Sequence, residues 1–209
     1  NITETLQISG SNLTILEGLN NLEEIGENFI MSGHSVEGLK KLRFIGGSFI
    51  ISSNLKNLKG LENLVMIALD FEVNGWLSSF EGLNNLETIG RNFNINSGNL
   101  HSCEGLEQLK IIGGSFNISS CSLTSFNGLM NLEIINQDFN IKNASCLVSF
   151  SGLNKLNSIQ GSFCISSENN SDLSTLASFE GLENLEIIGQ NLQIKAFCET
   201  NVKLLDNGY

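Results

Sequence analysis

The stretch Ser79-Phe80-Glu81-Gly82-Leu83-Asn84-Asn85-Leu86-Glu87-Thr88-Ile89-Gly90, with Phe93-Asn94-Ile95 behind it, decides the fold, because the chain keeps returning to it. Its Gly-Leu pair recurs at Gly18, Gly38, Gly60, Gly82, Gly105, Gly128, Gly152 and Gly181. The step runs from 20 residues (Gly18 to Gly38) to 29 (Gly152 to Gly181). Self-similarity at that period marks a solenoid or array and not a single globular core.

Each repeat divides into three short pieces. One is F-x-I, as at Phe29/Met31, Phe49/Ile51, Phe71/Val73, Phe93/Ile95, Phe116/Ile118, Phe139/Ile141 and Phe163/Ile165, with Leu6/Ile8 and Leu192/Ile194 at the two ends. Its alternation is a strand signal. The second is L-x-S-F-x-G-L, as from Leu123 to Leu129, and the third is L-x-x-I-G, as from Leu86 to Gly90. No stretch long enough for a helix is free of Gly and of strand alternation. Pieces this short become stable only when equivalent pieces stack coil on coil, about 4.8 Å apart, into long parallel sheets.

The expected fold is therefore all-β: a single-domain parallel β-solenoid of about eight to nine triangular coils, roughly 40 Å long. Residues 1–4 and 195–209 are terminal segments. Ladders of like residues fill the interior, one of Leu22, Leu42, Leu64, Leu86, Leu109, Leu132, Leu156 and Leu185. Another is Ile25, Ile45, Ile67, Ile89, Ile112, Ile135, Ile159 and Ile188. The recurrent Gly marks a corner needing positive φ or close backbone approach. The absence of Pro fits a lattice in which nearly every N–H donates to the next coil. On the outside, Lys110 falls between Glu87 and Glu133, a cross-coil charge pairing.

The net charge of −11 excludes phosphate-driven nucleic-acid binding and a basic membrane-surface helix. No run of about 18 apolar residues is present, so no direct membrane insertion is expected. With Asn at position 1, the chain reads as a segment of a longer product. His34 and His101 are the two histidines, and no catalytic set forms around either. No compact Asp-rich loop or CxxC pair suggests a metal, so no cofactor is expected and the chain reads as non-enzymatic. No outward T-x-T column supports ice binding.

Sequons place N-linked glycans at Asn1, Asn12, Asn117, Asn143 and Asn169. Together with the cysteines they point outside the cell. Cys121 and Cys146 lie two and one residues before Leu123 and Leu147, at nearly the same corner of consecutive coils. The coil spacing falls inside the Cα window of a disulfide, so Cys121–Cys146 is the first expected bridge. Cys164, outward in F-x-I, and Cys198, just beyond the next strand, form the second candidate. Cys103 aligns with Phe80, Phe126 and Phe150, and reads as a buried thiol left out of both pairs.

The repeat L-x-S-F-x-G-L-x-N-L-x-x-I-G-x-x-F-x-I resembles the receptor L domain family over residues 5 to about 194. These are the leucine-rich β-helix domains of insulin and epidermal-growth-factor receptor ectodomains, with related repeats in fungal cell-wall and protist surface proteins. The resemblance implies a right-handed coil and an extracellular or cell-surface setting. It transfers no ligand-binding residue.

The expected function is a non-catalytic recognition or adhesion module that presents a regular face to a protein partner. The F-x-I sheet is the candidate contact face, through Ile30, Ile50, Glu72 and Asn94. The competing reading is a structural repeat subunit of an extracellular filament or coat, self-associating through the solenoid ends. Residues 200–205 read either as a short helical cap ending at Gly208 or as the start of another coil.

Overall fold

A computed structural model describes residues 1–10, 16–119, 122–167 and 175–195. Its described residues are all-β, and the strands run parallel in two sheets. The first sheet has nine strands: Leu6–Ser9, Phe29–Ser32, Phe49–Ile51, Phe71–Asn74, Phe93–Asn96, Phe116–Ser119, Phe139–Lys142, Phe163–Ser166 and Leu192–Lys195. The second has eight strands of two residues each, from Glu24–Ile25 to Ile187–Ile188. Each strand pairs with its equivalent one coil away, as expected, and the register holds Phe over Phe and Ile over Ile. The result is a parallel β-solenoid, with the right-handed crossover that parallel connections adopt.

The third side differs from the expected triangle of strands. The L-x-S-F-x-G-L piece forms turns. Leu61 N–H donates to Leu58 C=O, Leu83 to Phe80, Leu129 to Phe126 and Leu153 to Phe150, at 2.9–3.1 Å. Gly is the third residue of each turn, at φ between 101° and 111° in all eight copies. That is the pattern of a type II turn, which demands Gly there. A second turn follows at once, closed by bonds such as Leu64 N–H to Leu61 C=O at 2.9 Å. Positive φ once per coil breaks the extended backbone, so this side carries single coil-to-coil bonds, such as Cys103 N–H to Asn127 C=O at 2.8 Å.

The core lies between these three sides. The expected Leu and Ile ladders are buried from Leu22 to Leu156 and from Ile25 to Ile159. Phe29, Phe49, Phe71, Phe93, Phe116, Phe139 and Phe163 stack with ring centroids 4.8–5.2 Å apart and planes within 5°. The coil repeat imposes that spacing. Phe80, Phe126 and Phe150 meet this stack edge-on, the arrangement favoured by ring quadrupoles. Cys103 occupies the same inward column and is fully buried.

Candidate interaction surfaces

Two columns cover the outside of the first sheet. The residue before the first residue of each strand from Phe29 to Leu192 is Asn28, Ser48, Asp70, Asn92, Ser115, Asp138, Ser162 or Asn191. These link coil to coil: Ser48 N–H donates to Asn28 Oδ1 at 2.8 Å, Asn92 N–H to Asp70 Oδ1 at 3.0 Å, and Ser162 N–H to Asp138 Oδ1 at 2.8 Å. This corner ladder was not foreseen, although its signal is plain in the sequence: every interior Phe strand is preceded by Asn, Ser or Asp.

The next column holds Ile30, Ile50, Glu72, Asn94, Asn117, Asn140 and Cys164, all half-buried despite pointing outward. Asn140 Nδ2 donates to Asn117 Oδ1, and Asn117 Nδ2 to Asn94 Oδ1, each at 2.8 Å. Glu72 accepts from Asn74 Nδ2 at 3.4 Å. The structure thus gathers the four expected contact residues Ile30, Ile50, Glu72 and Asn94 into one column.

The second sheet carries a feature that sequence reasoning missed. Its outward column reads Glu24, Phe44, Met66, Thr88, Ile111, Ile134, Ser158, Ile187. Met66, Ile111 and Ile187 are 36–46% exposed, and Phe44 and Ile134 are half-buried. An apolar stripe therefore runs along the solenoid. Beside it lies the column Glu23, Arg43, Val65, Glu87, Lys110, Glu133, Asn157 and Glu186. Lys110 Nζ pairs with Glu87 at 3.0 Å, as the alternation of charge suggested. Lys59 pairs with Glu81 at 3.1 Å and Arg91 with Asp70 at 3.9 Å. Apart from the more sheltered Asp70, these partners are 44–59% exposed, so each pair is worth about 0–1 kcal/mol.

At the turns, side chains satisfy the backbone of the Gly corner. Gly60 N–H donates to Glu62 Oε1 and Gly105 N–H to Glu107 Oε1, both at 2.8 Å. Gly181 N–H does the same to Glu183 at 2.8 Å, and this bond, with the N–H of Glu183 itself, holds that carboxyl below its ordinary value.

The sequons fall in different settings. Asn1 is exposed and its Nδ2 donates to Glu24 Oε2 at 3.0 Å. Asn117 is half-buried in the amide ladder. Asn143 takes a positive φ of 54° at a corner, the single described non-Gly residue to do so. Asn12 and Asn169 lie outside the described residues. Cys146, exposed at its corner, and Cys164, between Asn140 and Gln193, are free thiols. Their expected partners Cys121 and Cys198 lie outside the described residues, so no disulfide joins described cysteines. The segment 200–205, read as a cap or a further coil, also lies outside them.

His34 and His101 are both exposed and lie on separate coils. Among the described residues no group of three His, Cys, Asp or Glu side chains gathers to hold a metal. Among them, too, no helix is long and apolar enough to cross a membrane. No protein-family model matches the chain, and no curated protein sequence matches it at a significant level.

Proposed function

We propose that the chain is a non-catalytic recognition or adhesion module of the cell surface or extracellular space. It holds two flat columns of side chains on a rigid lattice and docks a protein partner against them. The observation that carries this reading is the apolar stripe Phe44, Met66, Ile111, Ile134 and Ile187, spaced along one side of the solenoid. Apolar surface aligned in this way and rimmed by polar groups is the usual sign of a contact site. Glu23, Glu87, Glu133 and Glu186 outnumber Arg43 and Lys110 along its margin. The partner that fits is a protein surface with an apolar ridge flanked by Lys or Arg. The likeness of the repeat to receptor L domains is in keeping with this role.

The reading is tested by selecting binders from a random peptide display library on the immobilised chain. Basic peptides with apolar anchors are expected, with binding that weakens as salt is raised. Met66→Glu or Ile111→Glu is expected to lower their affinity at least tenfold, while Ile50→Glu on the other sheet leaves it unchanged. Peptides without basic character, or binding indifferent to all three substitutions, would sink the proposal.

End-to-end assembly has one observation in its favour. The edge strand Leu192–Lys195 has no described partner on its outer side, and Leu192 is 54% exposed. Charge opposes it. In-register stacking of a second copy would set Glu180 over Glu17 and Glu186 over Glu23 at one coil spacing, and like charges directly opposite destabilise a sheet.

A further inference from the structure

The sequon Asn117-Ile118-Ser119 lies on the sixth of the nine strands of the first sheet, Phe116–Ser119, with Asn117 turned outward. The register places Asn94 and Asn140 one coil to either side of it. Asn117 Nδ2 donates to Asn94 Oδ1, and Asn117 Oδ1 accepts from Asn140 Nδ2, each at 2.8 Å. The side-chain amide therefore points its C=O one way along the solenoid and an N–H the opposite way. A primary amide carries two hydrogens on its nitrogen, and only one of them lies opposite the oxygen. That hydrogen is the one the ladder uses. The other lies on the oxygen's side of the nitrogen and makes no bond to a described residue.

We propose that Asn117 carries an N-linked glycan and that Asn94 and Asn140 hold the glycosylated amide in place. Attachment forms a bond from Nδ2 to the anomeric carbon of a sugar activated as a diphosphate ester. The bond from that carbon to the diphosphate oxygen breaks, the diphosphate leaves with the electron pair, and one Nδ2 proton is lost to a base. The product is a secondary amide, and secondary amides are trans. Its remaining hydrogen lies opposite the oxygen, in the position that Asn94 receives. The sugar takes the place that the ladder leaves open, and both hydrogen bonds of the row survive.

Asn1 is placed differently, since its Nδ2 donates to the carboxylate of Glu24. In the folded coil Asn117 is half-buried and Ser119 Oγ donates to Ile95 C=O at 3.4 Å, so the sugar is added before this coil closes. Once the row forms, the amide is fixed on both sides and the first sugar is aimed outward from the sheet. A glycan is bulky and polar. Borne near the middle of the first sheet, it covers that face and leaves the stripe of the second sheet open. The inference rests on the proposed extracellular setting, because the activated sugar is met on the secretory route.

The experiment makes the full chain in bacteria, without glycans, and again directed through the secretory pathway of a eukaryotic cell, with its side-chain amides isotopically labelled. Mass spectrometry of the secreted chain is expected to find sugar on Asn117. After an endoglycosidase has trimmed the glycan to one sugar, the Asn117 Nδ2–H should exchange with solvent at least tenfold more slowly than in a glycosylated Asn-Ile-Ser peptide. Backbone exchange at Phe116–Ser119 should match that of the bacterial chain. Asn94→Ile removes the acceptor, and Ile30 and Ile50 already stand in that column, so the coil is expected to fold. In that variant the glycan should remain while the Nδ2–H loses its protection. A secreted chain bare at Asn117 overturns the proposal. So does an Nδ2–H that exchanges as fast as the peptide's, or one that stays protected in Asn94→Ile. Faster exchange at Phe116–Ser119 on glycosylation overturns it too, since the row would then have been broken. A chain bare at every sequon in its own cell, yet glycosylated and protected at Asn117 when directed to secretion, would overturn the extracellular setting and uphold the fit of the ladder.

Discussion

Replacing Gly128 with Ala tests the corner reading. Two costs coincide there. Gly128 sits at φ 106°, where an L side chain costs roughly 1–2 kcal/mol. An added Cβ would also fall on the carbonyl group of Cys103 in the preceding coil, with Glu104 N at 2.5 Å. That backbone cannot retreat freely, because Cys103 N–H donates to Asn127 C=O at 2.8 Å. Forcing the coils apart adds about 1–3 kcal/mol of overpacking and weakens that bond, worth about 1 kcal/mol. The total is roughly 3–6 kcal/mol, the sum of these ranges. Two other glycines separate the contributions. Gly18 has φ 101° with no described atom within 4 Å of the new Cβ, so Gly18→Ala should cost only the backbone part. Gly113 lacks the positive φ, but its Cβ would meet the Gly90 carbonyl, so Gly113→Ala should cost only the packing part. The assay is urea unfolding followed by circular dichroism, with amide exchange by coil, since repeat arrays can lose all-or-none behaviour. A Gly18→Ala loss equal to that of Gly128→Ala would show that close coil approach is irrelevant. A Gly128→Ala chain within about 0.5 kcal/mol of the parent, the range of an ordinary surface change, would refute the whole account.

Ser53 and Ser97 should respond with opposite sign. Ser53 Oγ is buried with no hydrogen-bond partner, so Ser53→Ala should stabilise by about 1 kcal/mol; Ser97 Oγ donates to Leu77 C=O at 2.9 Å, so Ser97→Ala should destabilise by a similar amount in the same urea assay. Asp138→Ala removes the acceptor of the Ser162 N–H and should cost about 1.5–3 kcal/mol, with faster exchange at Ser162; unchanged exchange there would contradict the corner ladder. The Glu183 carboxyl should titrate below 4.5 by carbon NMR, because its ionised form accepts from the Gly181 N–H. A lowered folded value means that its stabilisation is complete above the unfolded pKa and is lost as pH falls through the folded one. Titration at or above 4.5 would remove that bond from the account.

The interior was legible because its residue types repeat: Leu22 to Leu156 and Ile25 to Ile159 announce inward columns by identity alone. The third side was misread because L-x-S-F-x-G-L alternates like a strand until the Gly, and it is the positive φ there that turns it. The apolar stripe was hidden by doubled residues. In Ile111-Ile112 and Ile134-Ile135 the second Ile is core, which made the first look like core as well. The last rungs of the two ladders, Leu185 and Ile188, were overread as fully interior for another reason. A ladder read from sequence treats every rung alike, yet burial of a rung needs a neighbour on each side, and Leu185 and Ile188 have a described one on one side only.

A translated lattice places every outward residue beside a copy of its own kind, and this decides which groups suit which column. A carboxylate over a carboxylate repels, so charged columns survive where they are exposed and broken by a cation, as at Glu87, Lys110 and Glu133. An amide is self-complementary, because it both donates and accepts, so Asn94, Asn117 and Asn140 can stand in a half-buried row and satisfy one another. A row satisfied in this way has less hydrogen bonding left to offer a partner, and a glycan on Asn117 would have to be accommodated within it. Apolar side chains have no such internal solution. Met66, Ile111 and Ile187 gain little from their lattice neighbours and stay more than a third exposed. Their outstanding apolar area can be covered only from outside the coil. That asymmetry between a self-satisfied sheet and an unsatisfied one is the physical reason for proposing a contact site on the second.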